Sequence, residues 1–134
     1  MIYALDTNII SYFLKNDEEV RDRFRQEALQ GNEFIIPPIA FYEIRRGLLA
    51  KGLDKKLRQF DEFCQDITIG EFDYNCWLKS AEIYAVLSRS GFGINDADLF
   101  IAAFCLVNGY TLVTNNVRHF MQIEDLALCN WKNN

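Results

Sequence analysis

The sequence predicts an α/β sandwich in which a central, mostly parallel sheet of four to five strands is flanked by helices. Short apolar segments alternate along the chain with longer segments of helical periodicity, which is the order typical of parallel sheets. The length of 134 residues fits one domain, and hydrophobic residues make up 50% of the chain, enough for a buried core. We therefore expect a single domain that spans residues 1–134.

The first part of the chain predicts one strand and two helices. Residues 2–5 are apolar and favour a strand, after which Asp6 or Thr7 can cap a short helix over 8–14. A polar helix is predicted over 18–30, where apolar residues recur every four positions and form one stripe. The residues of that stripe are Val20, Phe24 and Ala28.

The middle of the chain continues this alternation. Residues 34–36 predict a second strand, and Pro38 suits the first turn of a helix over 38–50. After a break at a glycine, apolar residues at helical spacing predict a helix over 53–64. A third strand is predicted at 67–69.

The last part of the chain contains the segment that we expect at the centre of the domain. An amphipathic helix, whose apolar positions include Trp77, is predicted over 73–90. Residues 97–107 are apolar on nearly every side, as expected of a buried helix. A fourth strand at 111–113, a short turn and a fifth strand near 127–130 complete the prediction.

Composition limits the classes of function. The net charge of −5 argues against a protein that binds nucleic acid through a generally basic surface. Carboxylates gathered around metal ions would still be consistent with a nuclease, because the ions present positive charge to phosphate. No apolar run is long enough to cross a membrane, and the first residues lack the basic segment of a secretory signal, so we expect a cytoplasmic protein.

Polar side chains fall where strands end and helices begin. Ligands of open parallel sheets bind at the carboxyl ends of the strands, so these side chains are candidates for one site. They are Asp6, Glu43, Asp96, Asp98, Asn115 and Asn116. Explanations without function remain open at this point, because an aspartate can cap the helix that begins near 96, and Glu43 can pair with Arg46 on the surface.

Four short motifs resemble those of PIN domains, and specifically of VapC-type toxin nucleases. They follow one another in the order and at the spacing of that family across essentially the whole chain. They are Leu5-Asp6-Thr7-Asn8, Tyr42-Glu43-Ile44-Arg45-Arg46-Gly47-Leu48, Asp96-Ala97-Asp98-Leu99-Phe100-Ile101-Ala102-Ala103, and Leu112-Val113-Thr114-Asn115-Asn116 with Phe120 beyond. The resemblance implies an endoribonuclease that uses Mg²⁺ or Mn²⁺ to activate water.

The resemblance also assigns roles to individual residues. Those matched to catalysis are Asp6, Glu43, Asp96, Asp98 and Asn116, of which the four acids are the expected metal ligands. Asn116 falls where many members have aspartate, and an amide brings no negative charge. Residues expected to position water or phosphate are Thr7, Thr114, Arg45 and Arg46.

The partners implied by the resemblance are an RNA substrate, transfer RNA among the candidates, and a second copy of the chain in a homodimer. A VapB-type antitoxin is also implied, whose tail blocks the site and through which alone the protein contacts DNA.

Two further features have two interpretations each. A basic run on and after helix 38–50 is either a solvated face or a contact for RNA or an acidic partner segment. The run consists of Arg45, Arg46, Lys51, Lys55, Lys56 and Arg58. His119 is expected on the surface rather than as a catalytic base.

Other functions remain as alternatives. A phosphatase with Asp6 as nucleophile would need an acid at position 8, where this chain has Asn8. A PIN fold that mainly assembles a DNA-binding complex with its antitoxin, and a structure-specific DNA nuclease, are the other two.

Overall fold

The predicted alternation of strands and helices is present in the structure, a computed structural model that describes residues 1–133. The strands of this part of the chain are β1 (Ile2–Leu5), β2 (Glu33–Ile36), β3 (Thr68–Ile69), β4 (Thr111–Val113) and β5 (Leu128–Cys129). Its helices are α1 (Thr7–Leu14), α2 (Glu18–Leu29), α3 (Pro38–Ala50), α4 (Asp54–Asp66), α5 (Tyr74–Arg89), α6 (Asp96–Asn108) and α7 (Val117–Phe120). Each predicted element is found, with bounds that differ by a few residues.

The sheet has the order β3-β2-β1-β4-β5, and every strand pair in it is parallel. The first strand is therefore central, with Tyr3 opposite Phe34 on one side and Thr111 on the other. The chain leaves β1 to build one half of the sheet and returns to build the other half beyond it. The carboxyl ends of β1 and β4 are adjacent at this switch point, where open sheets of this kind bind ligands.

The core lies between the sheet and its helices, and α6 is its most buried helix. Its residues 101–105 are all buried, together with the central residues of β1 and β4. Gly109 ends the helix in the left-handed conformation, with φ of 72°, which glycine adopts without steric cost. The all-round apolar pattern thus predicted the central helix correctly, as expected for a helix covered on most sides.

Two predictions about helix faces were wrong. Ala28 was expected in the apolar stripe of α2, yet it is exposed, and Glu27 is buried at 6% exposure. Trp77 was placed on the apolar face of the amphipathic helix α5, but the residue is 54% exposed. No helix among residues 1–133 is long and apolar enough to span a membrane.

Candidate active site

Asp6 lies at the centre of the candidate site, directly after β1, and it is the N-cap of α1. Its Oδ1 accepts a hydrogen bond from the backbone N–H of Thr7 at 2.8 Å. Its Oδ2 accepts from the hydroxyl of Thr114 at 2.7 Å and from the amide of Asn8 at 3.2 Å. The side chain is 3% exposed, so these bonds fix a buried carboxylate at the switch point of the sheet.

The electrostatic surroundings of Asp6 disfavour its negative charge. Burial raises the pKa of Asp6, and the charges of Asp98 and Glu43 raise it further, while the hydrogen bonds from Thr114 and Thr7 lower it. Burial is the largest of these causes, and the neighbouring charges of Asp98 and Glu43 add negative potential at the site. A cation bound there would relieve this repulsion.

Glu43 reaches the site from the second turn of α3. Its Oε1 accepts a hydrogen bond from the hydroxyl of Thr7 at 3.0 Å, which joins α3 to the start of α1. Within the described part of the chain Glu43 forms no ion pair with Arg46, whose guanidinium lies 5.0 Å from the centre of the Tyr42 ring instead. The surface ion pair that the sequence left open is therefore wrong.

Asp98 lies in the first turn of α6, where Asn95 is the cap. The backbone N–H of Asp98 donates to Asn95 Oδ1 at 2.8 Å, and the Asn95 amide donates to Asp98 Oδ2 at 2.9 Å. The sequence alternative to a functional pair was one capping aspartate and one surface acid; Asn95, and neither aspartate, is the N-cap, whereas an acid on the surface is what Asp96 is. Asp96 is exposed, and its side chain makes no hydrogen bond to any described residue.

His119 contacts Asp98, which the sequence analysis missed. Its Nδ1 lies 3.1 Å from Asp98 Oδ2, and its side chain is 55% exposed. The expected surface position is confirmed, but the histidine lies next to a candidate ligand. The only signal in the sequence was its place one turn after the fourth strand, at the same edge of the sheet.

The segment after β4 supports Asp6 from the other side of the switch point. Thr114 is fully buried, and its hydroxyl accepts from the backbone N–H of Asn116 at 3.0 Å while it donates to Asp6. The backbone N–H of Asn115 donates to Asn8 Oδ1 at 2.9 Å. Asn8 and Asn115 thus hold the two strand ends together, whereas the side chain of Asn116 is exposed. Asn8 was not predicted as a site residue, although it follows Asp6 by two positions.

The two arginines predicted to position substrate have different surroundings. Arg45 forms an ion pair with Asp61, which joins α3 to α4. Arg46 is exposed and lines a cleft of 410 Å³ beside Glu43. This cleft is bordered by Tyr42, Phe72, Trp77 and Phe100, among other residues.

The donor set fits a hydrated divalent cation. Among residues 1–133 no three His, Cys, Asp or Glu side chains are close enough to enclose a metal ion, so the four predicted ligands form no ready-made cluster. Mg²⁺ keeps several waters and takes only one or two carboxylates, so it needs no such cluster. Asp6, whose ionised form is disfavoured by burial and by two neighbouring acids, offers the oxygen ligand that Mg²⁺ or Mn²⁺ prefers.

Comparison with known proteins agrees with this geometry. The PIN domain family matches residues 3–126 of the chain. Ribonuclease VapC2 of Rickettsia felis is 30% identical over 132 residues, which cover 98% of each chain. The tRNA(fMet)-specific endonuclease VapC of Salmonella typhimurium is 28% identical, with 96% of this chain and 97% of that protein covered.

The fold is likewise shared with a solved toxin–antitoxin complex. The crystal structure of VapBC2 from Rickettsia felis bound to a DNA fragment from their promoter contains a chain with a TM-score of 0.92 and 30% identity. The match covers 98% of this chain and 100% of that one. The chain therefore belongs to the PIN domain family, among the relatives of the VapC ribonucleases.

Proposed function

We propose that the protein is a metal-dependent endoribonuclease that acts in the cytoplasm as the toxin of a toxin–antitoxin pair. The observation that carries the proposal is the carboxylate of Asp6, held at the switch point by three hydrogen bonds, while burial and then the charges of Asp98 and Glu43 raise its pKa. Carboxylates with a perturbed pKa occur preferentially at catalytic sites, because catalysis uses groups that the fold alone would not favour. The names of the relatives, a ribonuclease and a tRNA-specific endonuclease, supply the reaction class.

The residues have distinct roles in this proposal. Asp6 and Asp98 are the direct ligands, and a bound Mg²⁺ or Mn²⁺ would supply an activated water and neutralise phosphate charge. Thr7 orients Glu43, which acts on the water, and Thr114 fixes the Asp6 carboxylate. Asp96 and Asn116 are exposed beside the site, where they can act through water on metal or phosphate.

We propose an antitoxin and a second copy of the chain as partners. A VapBC complex on promoter DNA is the related assembly, and by analogy this chain would contact DNA only through its antitoxin. For the homodimer, the cleft of 410 Å³ between α3 and α5 offers an exposed apolar surface. Tyr42 and Trp77 line this cleft and are 59% and 54% exposed, so packing within one chain leaves much of both aromatic residues uncovered. Exposed apolar patches of this kind mark protein–protein interfaces.

The test is cleavage of labelled RNAs, transfer RNAs included, by purified protein in Mg²⁺, Mn²⁺ or EDTA. We expect cleavage with either metal, none in EDTA, and a loss of about 100-fold or more in Asp6→Asn and Asp98→Asn. Both substitutions keep the size of the side chain and remove its charge. Circular dichroism and thermal melting confirm that the variants are folded.

The outcomes separate the remaining functions. Equal residual cleavage in wild type and both variants identifies a contaminating nuclease and favours the alternative of a non-catalytic antitoxin partner. Metal-dependent cleavage of single-stranded or branched DNA, with RNA left intact, favours a DNA nuclease. Fragment mapping on the cleaved RNA gives the position of the scissile bond.

A further inference from the structure

A second cleft opens on the other side of Glu43, between α1, α3 and the start of α4. It has a volume of 240 Å³, and Thr7 and Glu43 line one end of it. The other end carries Lys15, Lys51 and Lys56, which come from the ends of α1 and α3 and from the first turn of α4. We call this feature the lysine cleft. It connects directly with the candidate active site.

The lysines of the lysine cleft are exposed and uncompensated. Within residues 1–133 none of the three forms an ion pair, whereas Arg45 in the same basic run pairs with Asp61. Glu43 is the one carboxylate among the described residues that line the cleft. A protein with a net charge of −5 thus concentrates three free cations in one concave place beside its site.

The cleft is also open enough for a ligand. At Gly47, on the face of α3 that lines it, a Cβ atom would meet no atom within 4 Å. Lysine has a flexible four-carbon side chain, so the three ammonium groups can reach into this space. Each ammonium group is a compact positive charge that suits phosphate oxygens. A nucleic-acid strand cut beside Glu43 continues on both sides of the scissile phosphate, and each neighbouring phosphate needs neutralisation.

We infer that the lysine cleft binds the sugar-phosphate backbone of the RNA on one side of the scissile bond, through Lys15, Lys51 and Lys56. The inference rests on the proposed nuclease function, because it places the strand by the site at Glu43. The basic run is divided accordingly: Lys51 and Lys56 line the cleft, where they would contact phosphate, while Lys55 and Arg58 lie outside it.

The experiment measures binding separately from cleavage. Fluorescence anisotropy in EDTA gives the affinity for a labelled oligouridylate of about 12 nucleotides at several salt concentrations. The test variant is Lys15→Gln/Lys51→Gln/Lys56→Gln. The matched control, Lys55→Gln/Arg58→Gln/Arg89→Gln, removes the same charge from exposed residues outside the cleft. A Lys→Arg triple at the cleft positions tests rescue.

We expect the cleft triple to reduce the slope of log K against log salt by about 2, because each phosphate contact to a single strand contributes about 0.7. The control and the arginine triple should keep the wild-type slope. With an RNA that the wild type cleaves, the cleft triple should raise KM and leave kcat unchanged.

Equal slopes for the cleft triple and its control overturn the inference. If the wild type still cleaves RNA in that case, the proposed nuclease function stands, and the lysine cleft is not its RNA-binding site. A change in slope confined to the cleft triple, in a protein that cleaves no RNA, supports the binding site while the proposed function fails. If the cleft triple keeps the wild-type slope but no longer copurifies with a coexpressed antitoxin, the cleft is a protein-docking site and the inference is wrong.

Discussion

At the scale of single residues, the site depends on how a buried carboxylate is oriented. Asp6 is 3% exposed and its pKa is raised, mainly by burial, so each hydrogen bond to it matters more than it would in water. The bond from the Thr114 hydroxyl is the shortest of them, at 2.7 Å. The hydroxyl oxygen of Thr114 also accepts a hydrogen bond from the backbone N–H of Asn116. Thr114 thus connects the segment after β4 with Asp6 at the end of β1. Its hydroxyl therefore positions Asp6, the metal ligand of the proposed function.

Replacing Thr114 by valine removes this hydroxyl and keeps the shape of the side chain. We expect Thr114→Val to lower cleavage by about 10- to 100-fold, as for other groups that hold a metal ligand in place. More Mg²⁺ should restore part of the loss, because the defect lies in binding the cation. Thr114→Ser, which keeps the hydroxyl, is the control and should stay within a few fold of wild type. Equal activity in the valine and serine variants would contradict the role given to the hydroxyl.

Sequence analysis predicted some of these residues and missed others for a physical reason. Asp6 and Asp98 were found because each acid stands at the edge of an apolar segment, where burial of a charge is conspicuous. Asn8 and His119 were missed because amides and histidines at helix ends are common and their partners are set by tertiary contacts. The distance of 3.1 Å between His119 and Asp98 joins residues 21 positions apart, which no local pattern encodes.

At the scale of elements, α2 shows where periodicity fails. The predicted stripe places Ala28 inside, but Glu27 is buried and its carboxylate accepts from Asn32 at 2.9 Å and from Arg23 at 3.4 Å. The hydrogen bond from Tyr3 is the largest of the causes that hold the pKa of Glu27 below its ordinary value. A polar residue can thus occupy an interior position when side-chain donors such as Asn32 and Arg23 satisfy it, a condition that no hydrophobic pattern reveals.

The lowered pKa of Glu27 predicts a pH-dependent contribution to stability. A carboxylate whose folded pKa lies below its unfolded value, 4.5, stabilises the protein above that pH, and the contribution is lost as pH falls through the folded pKa. We expect Glu27→Gln to lower the free energy of unfolding by about 1–3 kcal/mol at pH 7. The difference from wild type should shrink below pH 4.5. Urea unfolding at both pH values measures it.

The control for this prediction is Glu33→Gln. Glu33 is exposed at the start of β2, and its side chain makes no hydrogen bond within the described residues. Its substitution should change stability little at either pH. A Glu27→Gln effect that stays constant from pH 7 down to pH 3.5 would show that the loss comes from packing, and the linkage argument would be wrong.

Two glycines, one just after a strand and one within a helix, provide a matched pair of packing tests. A Cβ atom at Gly70, just after β3, would lie 2.3 Å from Cζ of the buried Phe104 ring, so the ring or the strand end must move. We expect Gly70→Ala to destabilise the protein by about 1–3 kcal/mol. Gly47→Ala, in open space within α3, should stabilise it by about 0.5–1 kcal/mol, because alanine favours helix. Thermal and urea unfolding measure both changes.

A loss of stability in both variants would contradict the prediction for Gly47. It would indicate that the helix backbone at position 47 requires glycine, although a Cβ atom there has space. An unchanged stability in Gly70→Ala would show that β3 or the Phe104 ring can shift at little cost in free energy. This outcome would be notable because β3 is an edge strand of two residues and the last in its half of the sheet.

At the scale of the whole molecule, the order of the strands explains why distant residues meet. The sheet order β3-β2-β1-β4-β5 puts β1 beside β4, so Asp6 and Thr114 are neighbours although 108 positions separate them. The alternation of elements predicted a parallel sheet, and a parallel sheet gathers its strand ends at one edge. The quaternary structure had no such signal, because aromatic residues serve cores and interfaces equally and the composition does not separate them.

The proposed homodimer can be tested through Trp77. Its ring is 54% exposed beside Tyr42 in the cleft between α3 and α5, and tryptophan and tyrosine are enriched among residues that carry interface energy. We expect wild type to be a dimer in light scattering coupled to gel filtration. Trp77→Glu should weaken association by about 30-fold or more, since it buries a charge in the interface. Tyr84→Glu is the control: Tyr84 is 57% exposed on the same helix but does not line the cleft, so this variant should remain dimeric. A folded Trp77→Glu protein that still dimerises would place the interface elsewhere, and a monomeric wild type would remove the homodimer from the proposed function.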